Sequence, residues 1–137
     1  MKAGTEHKME TKEIPRNEWG SFFDIFSRQH EGWLATLEIF GPDIGAQVQA
    51  RQLPLAGVTV ASGAGEPETI TIDLGKEPED HFSHTISRPT HVWLEQTTQG
   101  ANAALEIESA DETKALLRFR SSLPPEMVDG VVLERKL

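Results

Sequence analysis

The chain has 137 residues, no cysteine, and a formal net charge of −9 from 13 Lys and Arg against 22 Asp and Glu. At this length the expectation is one domain that buries roughly 70% of its unfolded surface. The charge opposes nucleic acid and anionic membrane as partners, because the basic residues are scattered and only Arg135-Lys136 are adjacent. The lack of cysteine excludes disulfides, thiolate zinc sites and cysteine nucleophiles. The opening MKAGTEHKMETKE has no apolar h-region, and no apolar run approaches the roughly 20 residues of a membrane helix. The expected setting is therefore the cytoplasm.

Residues 1–12 are polar and aperiodic and read as a disordered arm, 13–132 as a single β-rich domain, and 133–137 as a polar tail. Pro15 suits a first helical turn, and Trp19, Phe22, Phe23 and Phe26 follow at i, i+3, i+4 and i+7. That spacing makes one apolar stripe that must dock, and Gly32 is the natural stop. From Trp33 the period changes to two, with Trp33, Ala35, Leu37 and Ile39 on one side. Gly41-Pro42-Asp43 turns the chain into a returning strand that pairs Leu37 with Ala50 and sets Glu38 beside Gln49. Pro54 is expected to end that strand in a bend, followed by a short strand at Val58–Ala61.

Glu68–Leu74 alternates with Ile70, Ile72 and Leu74 inside. The run HFSHTISRPTHVWLEQT reads as a hairpin turning at Arg88-Pro89-Thr90, with Ile86 opposite Val92 and His84 opposite Leu94. A last hairpin turns at Asp111-Glu112-Thr113, pairs Leu105 with Phe119 and Ile107 with Leu117, and places Glu106 beside Arg118. Leu123-Pro124-Pro125 ends the sheet, and EMVDG adds one helical turn. The expected fold is mainly β (α+β): one N-terminal amphipathic helix packed on a small antiparallel β-barrel or curled sheet of about seven short strands.

His81, His84 and His91 fall close together and, with Asp80 or Glu95, would suit a metal-dependent hydrolase. Strand alternation separates them, whereas metal ligands must converge within about 2.0–2.2 Å of one point. His84 is instead expected to be a core histidine. The carboxylate pairs Glu106/Glu108 and Glu77/Glu79-Asp80 read as solvated charge, and Ser62-Gly63-Ala64-Gly65 precedes a strand rather than the helix N-terminus of a phosphate cradle. Trp93, flanked by His91 and Glu95, is the best candidate anchor for a partner. His30 and Trp33, bunched at the helix-to-strand joint, form a second candidate surface, with His30 favoured in its protonated form by the helix C-terminus.

The co-linear segments IPRNEW, SRQHEGWLATLE, GPDIGAQVQARQLPLAGV, GANAALEIESAD and LPPEMVDG resemble a family of short bacterial proteins catalogued as a domain of unknown function. The resemblance covers residues 13–132 and implies a free-standing small domain, with no catalytic or ligand residues to carry over. The expected function is a non-enzymatic binding or protein-interaction module with a surface at His91, Trp93, Glu95, His30 and Trp33. No catalytic residue, metal ligand or cofactor is assigned. The expected partner is a small ligand or a protein, with self-association through edge strands as the structural alternative.

Overall fold

The computed structural model describes residues 9–63, 65–98 and 100–120. The order is β1 (Met9–Glu13), a 3-10 turn (Arg16–Glu18), α1 (Trp19–Gln29), β2 (Leu34–Gly41), β3 (Gly45–Gly63), β4 (Glu66–Leu74), a 3-10 turn (Pro78–Asp80), β5 (Phe82–Ser87), β6 (Pro89–Thr97), β7 (Asn102–Ser109) and β8 (Lys114–Phe119). The eight strands make one antiparallel sheet, ordered β1-β6-β7-β8-β2-β3-β4-β5. It curls around its buried face without closing into a barrel. The arm expected over 1–12 is corrected at its end, because Met9–Glu13 pairs with β6 from Met9↔Thr97 to Glu13↔Trp93. Residues 1–8 and the proposed Pro124-Pro125 stop, helical turn and tail lie outside the described residues.

The helix forms where the aromatic stripe predicts it. Trp19, Phe23 and Phe26 are buried and Phe22 is half-buried. Trp19 Nε1 donates to the Ile14 carbonyl at 3.0 Å, fixing the entry angle of the chain. Ser27 clips the helix to β3: its hydroxyl donates to Val58 O at 3.1 Å and accepts from Val58 N at 2.9 Å. Gly32, at φ +87, makes the stop that only glycine adopts at no cost.

Three expectations about pairing are corrected. First, β3 runs unbroken through Pro54. Bulges shift its register against β2 between Ala35 and Glu38, and Gln52 takes φ +51. Pro54 is tolerated because its carbonyl, and so its missing donor, points past the end of β4, where Gly75 N bonds Pro54 O at 2.8 Å. The pair Leu37↔Ala50 is present, while the bulge sets Glu38 opposite Val48 rather than Gln49. Gly75 has φ +97, and a Cβ there would lie 2.3 Å from Asp80 O, so no other residue fits the turn out of β4.

Second, β5 and β6 are not a hairpin. β5 pairs with β4, placing Ile86 opposite Ile70 and His84 opposite Ile72. β6 pairs with β1 and β7. Arg88 alone links them, at φ +52, and turns the chain from one limb of the curled sheet to the other. Ile86, Val92 and Leu94 are all buried in the one core cluster, as their alternation requires, but β5 and β6 do not pair with each other. Third, the last hairpin slips by two residues, giving Leu105↔Leu117 and Ile107↔Ala115. A slip of two preserves the faces, so the inner set survives.

Phe26→Ala, which empties a fully enclosed site, should cost about 3–5 kcal/mol in urea unfolding, and Phe22→Ala clearly less. Equal small effects would mean that α1 does not dock through this stripe.

Candidate functional site

The structure divides the sequence candidates between two places. His30 and Trp33 sit at the end of α1, where β6 and β8 finish and β2 and β7 begin. His30 is only 4% exposed. Its ring stacks on Phe119 at 4.9 Å between centroids, with Phe26 at 4.5 Å and Trp33 edge-on at 4.6 Å. Nδ1–H donates to Phe26 O at 2.8 Å, and Nε2 accepts from Asn102 Nδ2 at 3.2 Å. Asn102 Oδ1 in turn accepts from Gln96 Nε2 at 3.0 Å. This chain of donors fits a neutral imidazole. Burial holds the His30 pKa below the ordinary 6.5, more strongly than the Phe26 carbonyl raises it. The expectation of a protonated, dipole-stabilised His30 is therefore overturned: desolvation exceeds the helix-end term. Half-buried Trp33 packs against the same core cluster.

His91, Trp93 and Glu95 project from β6 on the outer face of the sheet, which α1 leaves uncovered because it packs against β3. Trp93 is half-buried and has Glu13 directly opposite on β1 and Glu106 on β7. The His91 ring lies parallel to Trp93 at 5.8 Å, and its Nδ1 meets Glu13 Oε2 at 2.7 Å. Glu108 stands opposite His91, and Lys114 Nζ lies 3.7 Å from both Glu106 and Glu108. Burial pushes the Glu106 carboxyl above the ordinary carboxylate range; Lys114 opposes this, and Glu108 and Glu95 add to it. The neighbour expected for Glu106, Arg118, instead pairs with Glu38 at 2.6 Å.

The three histidines of the hydrolase alternative part company. His81 Nε2 is 3.5 Å from Asp73, His84 points inward from β5, and His91 is on the outer face. Among the described residues no three His, Asp or Glu side chains are placed to hold a metal ion. His84 is half-buried rather than core, and burial lowers its pKa.

A third place escaped the sequence reading. Ser109 is buried, and its hydroxyl donates to Asp111 Oδ1 at 2.5 Å, while Thr113 N donates to the same oxygen at 3.0 Å. These bonds hold the Asp111 carboxyl below its usual range. The alternating Ser109, Asp111 and Thr113 are the available signal; the turn is closed by Ser109 N bonding Thr113 O and so is centred on Ala110-Asp111-Glu112 rather than on the expected Asp111-Glu112-Thr113.

A model of the family of unknown function DUF5335 matches residues 10–127. The chain belongs to that family. It is also similar to an uncharacterized protein of the bacterium Aquifex aeolicus (strain VF5), 26% identical over 117 residues that cover 85% of this chain and 97% of that one. No solved structure matches the chain. Membership in DUF5335 attaches no role to any residue.

Neutral His30 and His84 give the stability a definite pH dependence. Their folded pKa values lie below 6.5, so the unfolded chain takes up protons first as pH falls. Their contribution is fully present above 6.5 and is lost progressively below it. His30→Phe should cost about 1–3 kcal/mol, because it leaves Asn102 Nδ2 without its acceptor. The same variant should flatten the fall in stability between about pH 7 and 5, measured by urea unfolding. An unchanged pH profile would show that His30 is not neutral in the folded chain.

Proposed function

We propose that the chain is a non-enzymatic protein-interaction module whose working surface is the outer face around His91, Trp93 and Glu95. The observation that carries this reading is Trp93 itself. It is a large aromatic set between Glu13 and Glu106 on a sheet face that the protein's own helix does not cover. A π-face bordered by carboxylates suits a lysine or arginine side chain, through cation–π attraction and charge. His91 supports the arrangement by stacking on the indole and holding Glu13 in place. The partner chemistry that follows is a basic protein segment, which the overall charge of −9 also attracts. His30 and Trp33, in contrast, belong to the core joint in this reading and take no part in the surface.

The same charge argues against nucleic acid and anionic membrane as partners, and we infer a cytoplasmic setting. No helix among the described residues is long and apolar enough to cross a membrane.

A second reading, self-association, is favoured by one edge of the sheet. β5 ends the sheet with Ser83, Thr85 and Ser87 exposed and carries no lysine, proline or bulge to block pairing with a second copy. The opposite edge, β1, is charged at Glu10, Lys12 and Glu13. Sedimentation at two protein concentrations tests that reading.

For the interaction surface, calorimetric titration with a lysine-rich peptide should give salt-sensitive binding. Trp93→Ala should weaken it at least about ten-fold, and Glu106→Gln by a smaller factor. Binding should also weaken on acidification, at a higher pH than an ordinary carboxylate would give, because Glu106 protonates early. Equal affinity of the Trp93→Ala variant would remove the proposal.

A further inference from the structure

An antiparallel sheet with one buried face ordinarily carries polar side chains on the other. Inside, β2, β6, β7 and β8 follow the rule, with Leu37, Val92, Leu105 and Leu117 fully buried. Outside they break it. Trp93 of β6, Leu116 of β8 and Phe40 of β2 are half-buried, and Val48 of β3 is 40% exposed. None of these four belongs to the core cluster or to the partly buried side chains packed against it. Large apolar side chains grouped on a solvent face mark a place where something docks.

Strand register sets them in order. Trp93 stands opposite Glu106 on β7, Glu106 opposite Leu116, Leu116 opposite Glu38 on β2, and Glu38 opposite Val48. Apolar and acidic side chains therefore alternate strand by strand across the face, and Glu13 on β1 continues the row beyond Trp93. Phe40 pairs with Lys114 in the next row, which puts it diagonally beside Leu116. The charges are unequal. Glu13, Glu38, Glu95, Glu106 and Glu108 stand against Lys114 and Arg118. Arg118 is committed to Glu38 at 2.6 Å, and Lys114 is shared at 3.7 Å between Glu106 and Glu108.

Spacing decides the shape of the partner. Neighbouring strands lie about 4.8 Å apart, and that is the step from one member of the row to the next. Same-side residues of an extended segment repeat at about 6.8 Å, whereas successive turns of a helix repeat at about 5.4 Å. From β6 to β2 the row crosses β7 and β8, a span of about 14 Å, which three helical turns match to about 2 Å. So short a span lets a straight helix lie on the curled sheet.

We propose that this row seats a helix of a protein partner, laid across the strands, one face of which alternates bulky apolar and basic side chains from turn to turn. Its apolar side chains pack on Trp93, Leu116 and Phe40, and its lysine or arginine side chains reach Glu106 and Glu13, the carboxylates on either side of the indole. The proposal rests on the reading of Trp93 as an interaction surface. It adds the apolar half of the row, which a purely basic segment would leave uncovered.

Titration calorimetry of the full chain with three helical peptides of equal length and charge tests it. The first alternates leucine and lysine along one face at i, i+4, i+7 and i+11; the second has alanine for each leucine; the third has the residues of the first reordered so that leucines and lysines lie on opposite faces. The first should bind at least about ten-fold tighter than either of the others. Leu116→Thr should remove most of that advantage while leaving the affinity for the alanine peptide and the melting temperature unchanged, because Leu116 lies outside the core cluster. A proline at the centre of the first peptide should also cost at least about ten-fold. Equal affinity for the three peptides, an advantage that survives Leu116→Thr, or indifference to the proline would overturn the helix seat and leave the Trp93 surface standing. Trp93→Ala without effect on any peptide would remove both.

Discussion

The contact between the end of α1 and the sheet, through Phe26, His30, Trp33 and Phe119, is the interaction on which the other features depend. A curled sheet that does not close still has to keep water from its inner face, and here the helix covers one end. The aromatic rings pack on one another there, and the buried imidazole among them brings two polar nitrogens that need partners. His30 meets that need by donating Nδ1–H to Phe26 O, which also takes the backbone bond from His30 N, and by accepting from Asn102 at Nε2, so its ring nitrogens are satisfied inside an apolar cluster. The imidazole must stay neutral to do this, which makes the same residue both a packing element and a pH-sensitive one.

Because that end is closed by the helix, the remaining irregularities gather elsewhere. The bulges of β3 bend one strand through both limbs of the sheet, and Arg88 turns the chain between limbs in a single residue. Arg16 braces the outside of this corner, donating to Pro89 O at 3.0 Å, pairing with Glu68, and lying over the Trp19 ring. The inside is left as an open wedge between β5 and the β7–β8 turn, lined by Ser87, Arg88, Ala110 and Asp111. Closure at one end and opening at the other give the domain a polarity that a closed barrel would lack. The outer face beside β1 is a different kind of surface, with one indole set among carboxylates.

The sequence candidates fared according to what decides them. Trp93, His91 and Glu95 share a face by strand alternation alone, and they do share it. Glu13 joins them only because residues read as a loose arm add a strand at the edge, and no local pattern in METKE announces that. His30 carries no local mark distinguishing a buried histidine from a solvated helix-end one; its partner Asn102 lies 72 positions away in sequence. The pairing of Arg88 with the Asp111 turn was invisible for a related reason. It requires β5 and β6 to part company, whereas a short polar link between two alternating runs reads as a hairpin.

What the sequence determined by itself was periodicity: the aromatic stripe of α1, the inward faces of Ile70, Ile72 and Leu74, and the buried set Ile86, Val92, Leu105, Ile107 and Leu117. Burial of apolar side chains acts through spacing, and spacing is local. Even the two-residue error in the last hairpin left every one of those faces unchanged. Strand partners were decided by the tertiary structure, because backbone hydrogen bonds are the same whichever strands exchange them, and only packing of the whole core selects among them. The same packing set the protonation of His30 and opened the wedge at Arg88, since both depend on neighbours that come together only when the sheet curls.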